Sequence, residues 1–289
     1  MDRVPLYQVD AFTGTRFRGN PAAVCLLPAP LEDALLQAIA AEMNLSETAF
    51  LERTSRRRWA AGDVFSLRWF TPRTEVRLCG HATLASAAVL FDVVGVQSSE
   101  VTFETLSGDL RARRAESGIA LDFPLDPPQT CEVPHGIVEA LGLSPDAVTA
   151  AACGRRTHKL LLELSQASTL RALTPDFPAL LRSEEAKTYR GLVVTAAGGE
   201  DYDFISRYFA PWVGINEDPV TGSAHTVLGP YWAERLGKSH LHAYQASERG
   251  GELWVKLLEG ARVELVGEAT LVFEGYLSVP GSGQVPSSH

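Results

Sequence analysis

The sequence predicts an α+β protein of two pseudo-symmetric domains, each a curved, mostly antiparallel sheet or barrel around a central helix. Three observations lead there. Short alternating apolar segments bounded by Gly, Pro, Asn and Ser turns outnumber segments of helical period. The 289 residues exceed the usual size of one domain. A unit of the first half also recurs in the second: "RWFTPRTEVRLCGHATLASAAVL" from Arg68 lies over "RYFAPWVGINEDPVTGSAHTVLGPYW" from Arg207. After an offset of three residues, Gly80-His81-Ala82 falls on Gly222-Ser223-Ala224.

In chain order, "LYQVDAF" and "AAVCLL" read as strands around the turn "TGTRFRGNP", because Gly19, Asn20 and Pro21 interrupt the apolar runs. Leu31 to Met43 carries apolar residues at helical spacing. "ETAFLER" and "VFSLRWF" alternate as strands, and "EVTFETLSGDLRARRAESGIALDFP" reads as a meander with Ser-Gly turns. The run from His81 to Val94, stopped by Gly95, is apolar on nearly every side, so a helix there must be wrapped by other elements. Four prolines between Asp122 and Pro134 mark a boundary, giving domains 1–124 with a returning 268–289, and 125–267. Beyond it "GIVEALGL" reads as helix, "KLLLELS" as strand, "TPDFPALLRSEEA" as helix and "RGLVVTAAG" as strand. A helix from Ser223 to Leu236 follows, with a kink predicted at Pro230, which has no N–H to give four residues back.

Composition narrows the function classes. A formal net charge of −9 excludes a nucleic-acid or anionic-membrane partner, and "RTSRRRW" reads as a solvated loop. No apolar run reaches the roughly 18 residues of a membrane span, and "MDRVPLYQVDAF" runs straight into a strand without a signal-peptide core. A cytoplasmic location is the expectation. Cys25, Cys79, Cys131 and Cys153 form no CxxC pair and read as separate reduced thiols. Cys79 with His81, "CEVPH" (Cys131, His135) and "HLH" (His240, His242) do not make a recognisable ligand set, so no metal is expected. "GVQSSE" and "GSGQVPSSH" lack phosphate-loop spacing, and no protease signature surrounds Cys79.

What remains is acid chemistry. A glycine turn opening a helix lets a ligand approach the backbone, and the free N–H groups and positive dipole end attract a carboxylate or phosphate. Gly80 and Gly222 both open such turns. Glu47, between the hydroxyls of Ser46 and Thr48 and beside Phe50 and Leu51, sits at the edge of an apolar strand, where burial would raise its pKa toward the range of proton transfer. Asp218 lies in a turn four residues before Gly222.

"VDAFTGTRFRGNPAAVCLL", "NLSETAFL", "FTPRTEVRLCGHATLASA", "EDPVTGSAH" and "SERGGELWVKL" resemble, in order and over nearly the whole chain, signatures of the phenazine-biosynthesis protein F (PhzF) family, within the diaminopimelate-epimerase fold. "GEATLVFEGYL" resembles the strand with which that fold returns to its first domain. The resemblance implies two similar domains with an active site in the cleft between them, and isomerisation of a small carboxylate-bearing substrate without a cofactor. It gives Glu47 the role of general acid/base, with His81 and Asp218 in the catalytic set. Gly80, Gly222, Ser223 and Asn20 are the substrate-binding set. Cys79 holds the place of one of the two opposed thiols of related amino-acid epimerases, while Thr221 holds the other. A Cys79-dependent racemase and a non-catalytic small-acid-binding protein therefore stand as alternatives. The expected partner is a small organic acid, with a homodimer common among such enzymes.

Overall fold

The computed structural model describes residues 2–55 and 58–280; Arg56 and Arg57 of the basic cluster and the C-terminal "GSGQVPSSH" lie outside them. The chain divides into two compact units, one of residues up to Leu121 together with the chain from Gly267, the other Asp122–Val266. Among the described residues no helix is long and apolar enough to cross a membrane.

The first unit contains β1 (Asp2–Ala11), β2 (Asn20–Leu27), α1 (Asp33–Met43), β3 (Glu47–Arg53), β4 (Val64–Phe70), β5 (Glu75–Val76), α2 (Gly80–Ala88), β6 (Glu100–Thr105), β7 (Gly108–Ala115) and β8 (Gly118–Pro124), whose last three residues belong to the second. β1 pairs antiparallel with β2 and with the returning strand Ala269–Val279. β2 then runs parallel to β3, β3 antiparallel to β4, and β4 antiparallel to β5 but parallel to β6, after which β6, β7 and β8 form an antiparallel meander. α2 touches β1, β2, β3, β7 and the returning strand, so the sheet surrounds it. Every residue from His81 to Ala88 is accordingly buried. Buried hydroxyls in this apolar helix are satisfied one turn back, Thr83 on the Cys79 carbonyl and Ser86 on that of Ala82. The helix starts at Gly80, one residue before the expected start, and from Val89 to Val94 it widens into a π turn that Gly95 ends in the left-handed region. Arg114 donates to the Phe91 carbonyl inside that widened stretch, at 2.8 Å.

The second unit repeats the plan with β9 (Gln129–Thr130), α3 (Ile137–Ala140), β10 (Val148–Gly154), β11 (Lys159–Leu164), α4 (Ala167–Arg171), α5 (Phe177–Arg182), β12 (Gly191–Ala197), β13 (Phe204–Ala210), β14 (Ile215–Asp218), α6 (Gly222–Leu236), β15 (His240–Gln245), β16 (Gly251–Leu258) and β17 (Arg262–Gly267). The strand pairings β10–β11 antiparallel, β11–β12 parallel, β12–β13 antiparallel, β13–β14 antiparallel, β13–β15 parallel and the β15–β16–β17 meander match those of the first unit one for one. One face of this sheet carries Leu160, Leu162, Leu192, Val194 and Phe209 into a core with Ile137, Leu170 and Leu180 of the short helices.

Three expectations for this unit change. The helix expected over "GIVEALGL" is a single turn, because the chain leaves it at Gly142 with φ 72°. That over "TPDFPALLRSEEA" spans only Phe177–Arg182, capped by the Asp176 carboxylate on the Ala179 N–H at 2.9 Å and ended where Ser183 turns extended. α6 begins at Gly222, one residue before the expected start, and extends to Leu236 with Pro230 inside it. The Thr226 carbonyl that Pro230 cannot serve accepts the backbone N–H of Asp126 at 3.1 Å. All four cysteines are free thiols, as expected, and Cys131 and Cys153 are neighbours: burial and then Cys153 push Cys131 up to about 11. The ladder explains the proximity, since Cys153 pairs with Gln129, two residues before Cys131 and so on the same face.

The internal repeat has a structural counterpart in two buttressed turns. Arg68 on β4 clamps Glu75 of β5 through Nε and Nη2 at 2.7 and 2.9 Å. Arg207 on β13 clamps Glu217 of β14 in the same way at 2.7 and 2.8 Å. Such bidentate pairs fix the angle at which each short strand leaves for the following helix.

Candidate active site

In the first unit, three local devices bring Asn20, Glu47, Cys79 and His81 together. Gly19, at φ 62°, turns the chain into β2 where any side chain would run into the Ala11 carbonyl, and this sets Asn20 at the head of the strand. Asn44 ends α1 in the left-handed region, with its N–H on the Ala40 carbonyl, so β3 opens on Glu47. Extended Cys79 precedes α2 without capping it by its side chain, and His81 stands in the first turn. That helix start therefore keeps N–H groups free for an outside acceptor.

His81 is the hub. Asn20 Nδ2 and Cys79 Sγ lie 3.2 and 3.5 Å from its Nδ1. Its Nε2 lies 3.3 Å from Glu47 Oε2, yet is buried without a hydrogen bond. The contact is close enough for electrostatic interaction but poorly aligned for proton sharing. An Asn20 amide donating to Nδ1 leaves the ring proton on Nε2, facing Glu47. Burial pulls the imidazole down to about 3, so it is neutral at physiological pH and its Nε2–H acts as a fixed dipole donor. The Glu47 side chain is 12% exposed, enough to be reached.

Glu47, Cys79 and His81 offer three donor atoms within 4.8 Å of one another. Sequence spacing concealed this set because Glu47 comes from another strand. The thiol faces Nδ1 and the carboxylate faces Nε2, however, whereas a metal requires one ring nitrogen aimed between the other donors.

The second unit builds a different site on the same plan. Asp218, 8% exposed, accepts from the Thr221 hydroxyl. Gln245 locks this turn, donating to the Asp218 carbonyl at 2.7 Å and accepting the Thr221 N–H at 2.8 Å. Gly222 and Ser223 then open α6 without a side-chain cap. Thr221 stands where Cys79 does, and His225 where Thr83 does. His225 Nδ1 donates to the Thr221 carbonyl at 2.9 Å as Thr83 does to Cys79.

The place equivalent to Glu47 follows from the register. Thr48 faces Phe70 and Leu192 faces Phe209, the two phenylalanines standing two residues after the paired arginines. Glu47 therefore corresponds to Gly191. A Cβ there would overlap Tyr208, whose hydroxyl fills the space and donates to the Arg190 carbonyl at 3.2 Å. Lys159, paired with Gly191, carries its ammonium 5.4 Å over the Tyr208 ring. Sequence reading missed Lys159, Tyr208 and Gln245. A lysine heading the apolar run "LLLEL" was the available signal for the first; Gln245 had none.

The sequence profile described as phenazine biosynthesis-like protein (PhzC-PhzF) matches residues 9–275. The chain is 50% identical to the human phenazine biosynthesis-like domain-containing protein, over 96% of this chain and 99% of the relative. It is 48% identical to an uncharacterized isomerase of Pseudomonas aeruginosa, over 94% and 98%. A crystal structure of a PhzF-family protein from Enterococcus faecalis superposes with a TM-score of 0.87 at 41% identity, over 96% of this chain and all of that one. A hydroxyproline epimerase from Agrobacterium vitis, at 11% identity and a TM-score of 0.59 over 95% and 92%, shares the fold.

Proposed function

The chain belongs to the phenazine biosynthesis-like (PhzC-PhzF) family, an isomerase-type enzyme on the two-domain diaminopimelate-epimerase-like fold, and on that premise we propose that it moves a proton on a small carboxylate-bearing substrate with Glu47 as general acid/base and no cofactor. The observation that carries this reading is the arrangement of Glu47 and His81, a reachable carboxylate 3.3 Å from a buried, neutral imidazole nitrogen with no hydrogen bond of its own. Burial makes an imidazolium at His81 costly, so His81 is a poor base and the transfer falls to Glu47, while Nε2–H orients the carboxylate or the substrate's enolate-like oxygen. Free N–H groups at the start of α2, from Gly80 onward, suit the substrate's carboxylate. In the second unit, Asp218, Gly222 and Ser223 offer polar groups of their own at the start of α6. The asymmetry of the repeat supports a single acid/base, because Tyr208 over Gly191 leaves no room for a second carboxylate.

The 3.5 Å approach of Cys79 to His81 Nδ1 favours a second reading, a thiol-dependent racemase. Solvent exchange separates the two. With small organic acids in D2O, Glu47→Gln is expected to slow deuterium incorporation about 10²- to 10⁴-fold with binding retained, and Cys79→Ala to leave it standing. Exchange near the wild-type rate in the Glu47 variant removes Glu47 from the role, and loss confined to Cys79→Ala moves the base to the thiol.

A further inference from the structure

Lysine is scarce in this chain. Only Lys159, Lys187, Lys238 and Lys256 are present, against 22 arginines. Three of them sit where lysine is ordinarily found: Lys187 pairs with Glu184, Lys238 with Asp203, and Lys256 lies at a partly exposed position on β16. Lys159 does not. It is 6% exposed, and its ammonium makes no hydrogen bond or ion pair among the described residues.

The register places it. Leu161 pairs with Val193 and Val193 with Tyr208, which pairs with Asp218. Lys159 precedes Leu161 by two residues, so it shares a sheet face with Tyr208 and Asp218, opposite the face of Leu160 and Leu162 that fills the core. This is the face that leads into the turn before α6. The charged groups acting on the ammonium are Asp218 and Asp126, which favour it, and Arg190, which opposes it, with burial the largest influence and also unfavourable. Neither aspartate is its partner. Asp126 is held by the N–H groups of Arg156 and Thr157 and the Thr157 hydroxyl, and Asp218 takes the Thr221 hydroxyl. Tyr208 spends its proton on the Arg190 carbonyl and offers the lysine only its ring face. An ammonium on so deeply buried a side chain, with no partner among the described residues, is costly to keep, and an apolar residue would fit this leucine-rich strand.

We propose that Lys159 is an anion receptor of the second unit, its ammonium receiving a carboxylate of the small acid this enzyme binds. The proposal rests on the reading of the substrate as a carboxylate, but not on Glu47 as the base. It makes Lys159 a binding residue that selects for a negatively charged group, and explains why a compact, hydrogen-bonding ammonium stands in a sheet face that otherwise packs.

The test uses the full-length protein with 13C-labelled lysine, whose four ε-methylene signals are few enough to follow singly, and malonate as the probe. Lys159→Met assigns the signal. Malonate is expected to shift the Lys159 signal saturably and leave Lys187, Lys238 and Lys256 in place, and Lys159→Met to weaken malonate binding about tenfold or more, the size of a lost charged hydrogen bond. Without ligand, Lys159→Met is expected to keep or raise Tm. A Lys159 signal indifferent to malonate overturns the proposal, as does a lowered Tm with malonate affinity unchanged, which would make the lysine structural. Glu47→Gln is expected to keep the malonate shift. If it does while still exchanging solvent deuterium normally, the base assignment falls and the receptor stands.

Discussion

His81 and His225 occupy equivalent first turns of two buried helices, and both are kept neutral by burial, at about 3 and about 4. Both values lie below the unfolded imidazole's 6.5, so below pH 6.5 the unfolded chain takes up protons that the folded one refuses. The stability they contribute is complete above about pH 6.5 and is lost as pH falls toward 4 and then 3, at about 1.4 kcal/mol per pH unit for each ring. Replacing His225 by Leu is expected to flatten the acid limb by about that slope in urea unfolding between pH 6.5 and 4.5; parallel wild-type and variant curves would sink the burial account. At this scale the sequence put Glu47, His81 and Asp218 forward as candidates, because each stands in a short local motif. It did not make Asn20 and Cys79 legible as neighbours of one imidazole nitrogen, because that contact joins a strand head to a helix start 61 residues away.

At the scale of elements, the repeated Arg–Glu clamps do the same job in unlike surroundings. The Arg207 side chain is 11% exposed and also donates to the Leu173 carbonyl at 2.7 Å, whereas that of Arg68 is 28% exposed and reaches Asp33 on the surface. Truncation to Ala should therefore cost about 2–3 kcal/mol at Arg207, where the half-buried Glu217 and the Leu173 carbonyl would both lose a buried guanidinium, and about 1 kcal/mol at Arg68. Urea unfolding of the two variants checks this, and equal losses would show that burial does not set the difference. Apolar periodicity revealed most strands and α1, which pack by one face. It overran the ends of α3 and α5, because a capping carboxylate and a left-handed glycine, not periodicity, stop short helices. It could not show how α6 continues through Pro230, since the group that takes the Thr226 carbonyl comes from Asp126, a hundred residues earlier in the chain.

For the whole molecule, the order of pairings is the same in both units, but the first is completed by a strand from the far end of the chain. Ala269–Val279 covers β1 along its whole length, and the loop before β2 leans on it too, Arg16 donating to the Leu271 carbonyl at 3.0 Å. Ending the chain after Gly267 would bare the edge of β1 and one side of α2. We expect the shortened protein to lose the burial of Trp69 while Trp232 stays protected, read by limited proteolysis and tryptophan quenching. Equal protection of both would show that the returning strand is dispensable.

The sequence by itself determined the fold class, the duplication and the motifs on which the chemistry rests, since turn formers, apolar period and repeat spacing act over a few residues and are written where they act. The tertiary structure alone decided which of those residues meet. The parallel pairings set Glu47 beside Ala22, two residues on from the Asn20 that meets His81, and Lys159 beside Gly191, and parallel neighbours are joined only through long crossovers whose register no local pattern encodes. The same physics turned a near-repeat into two unlike sites: where the first unit has the Glu47 carboxylate, the second has a glycine roofed by Tyr208, with a buried lysine beside it.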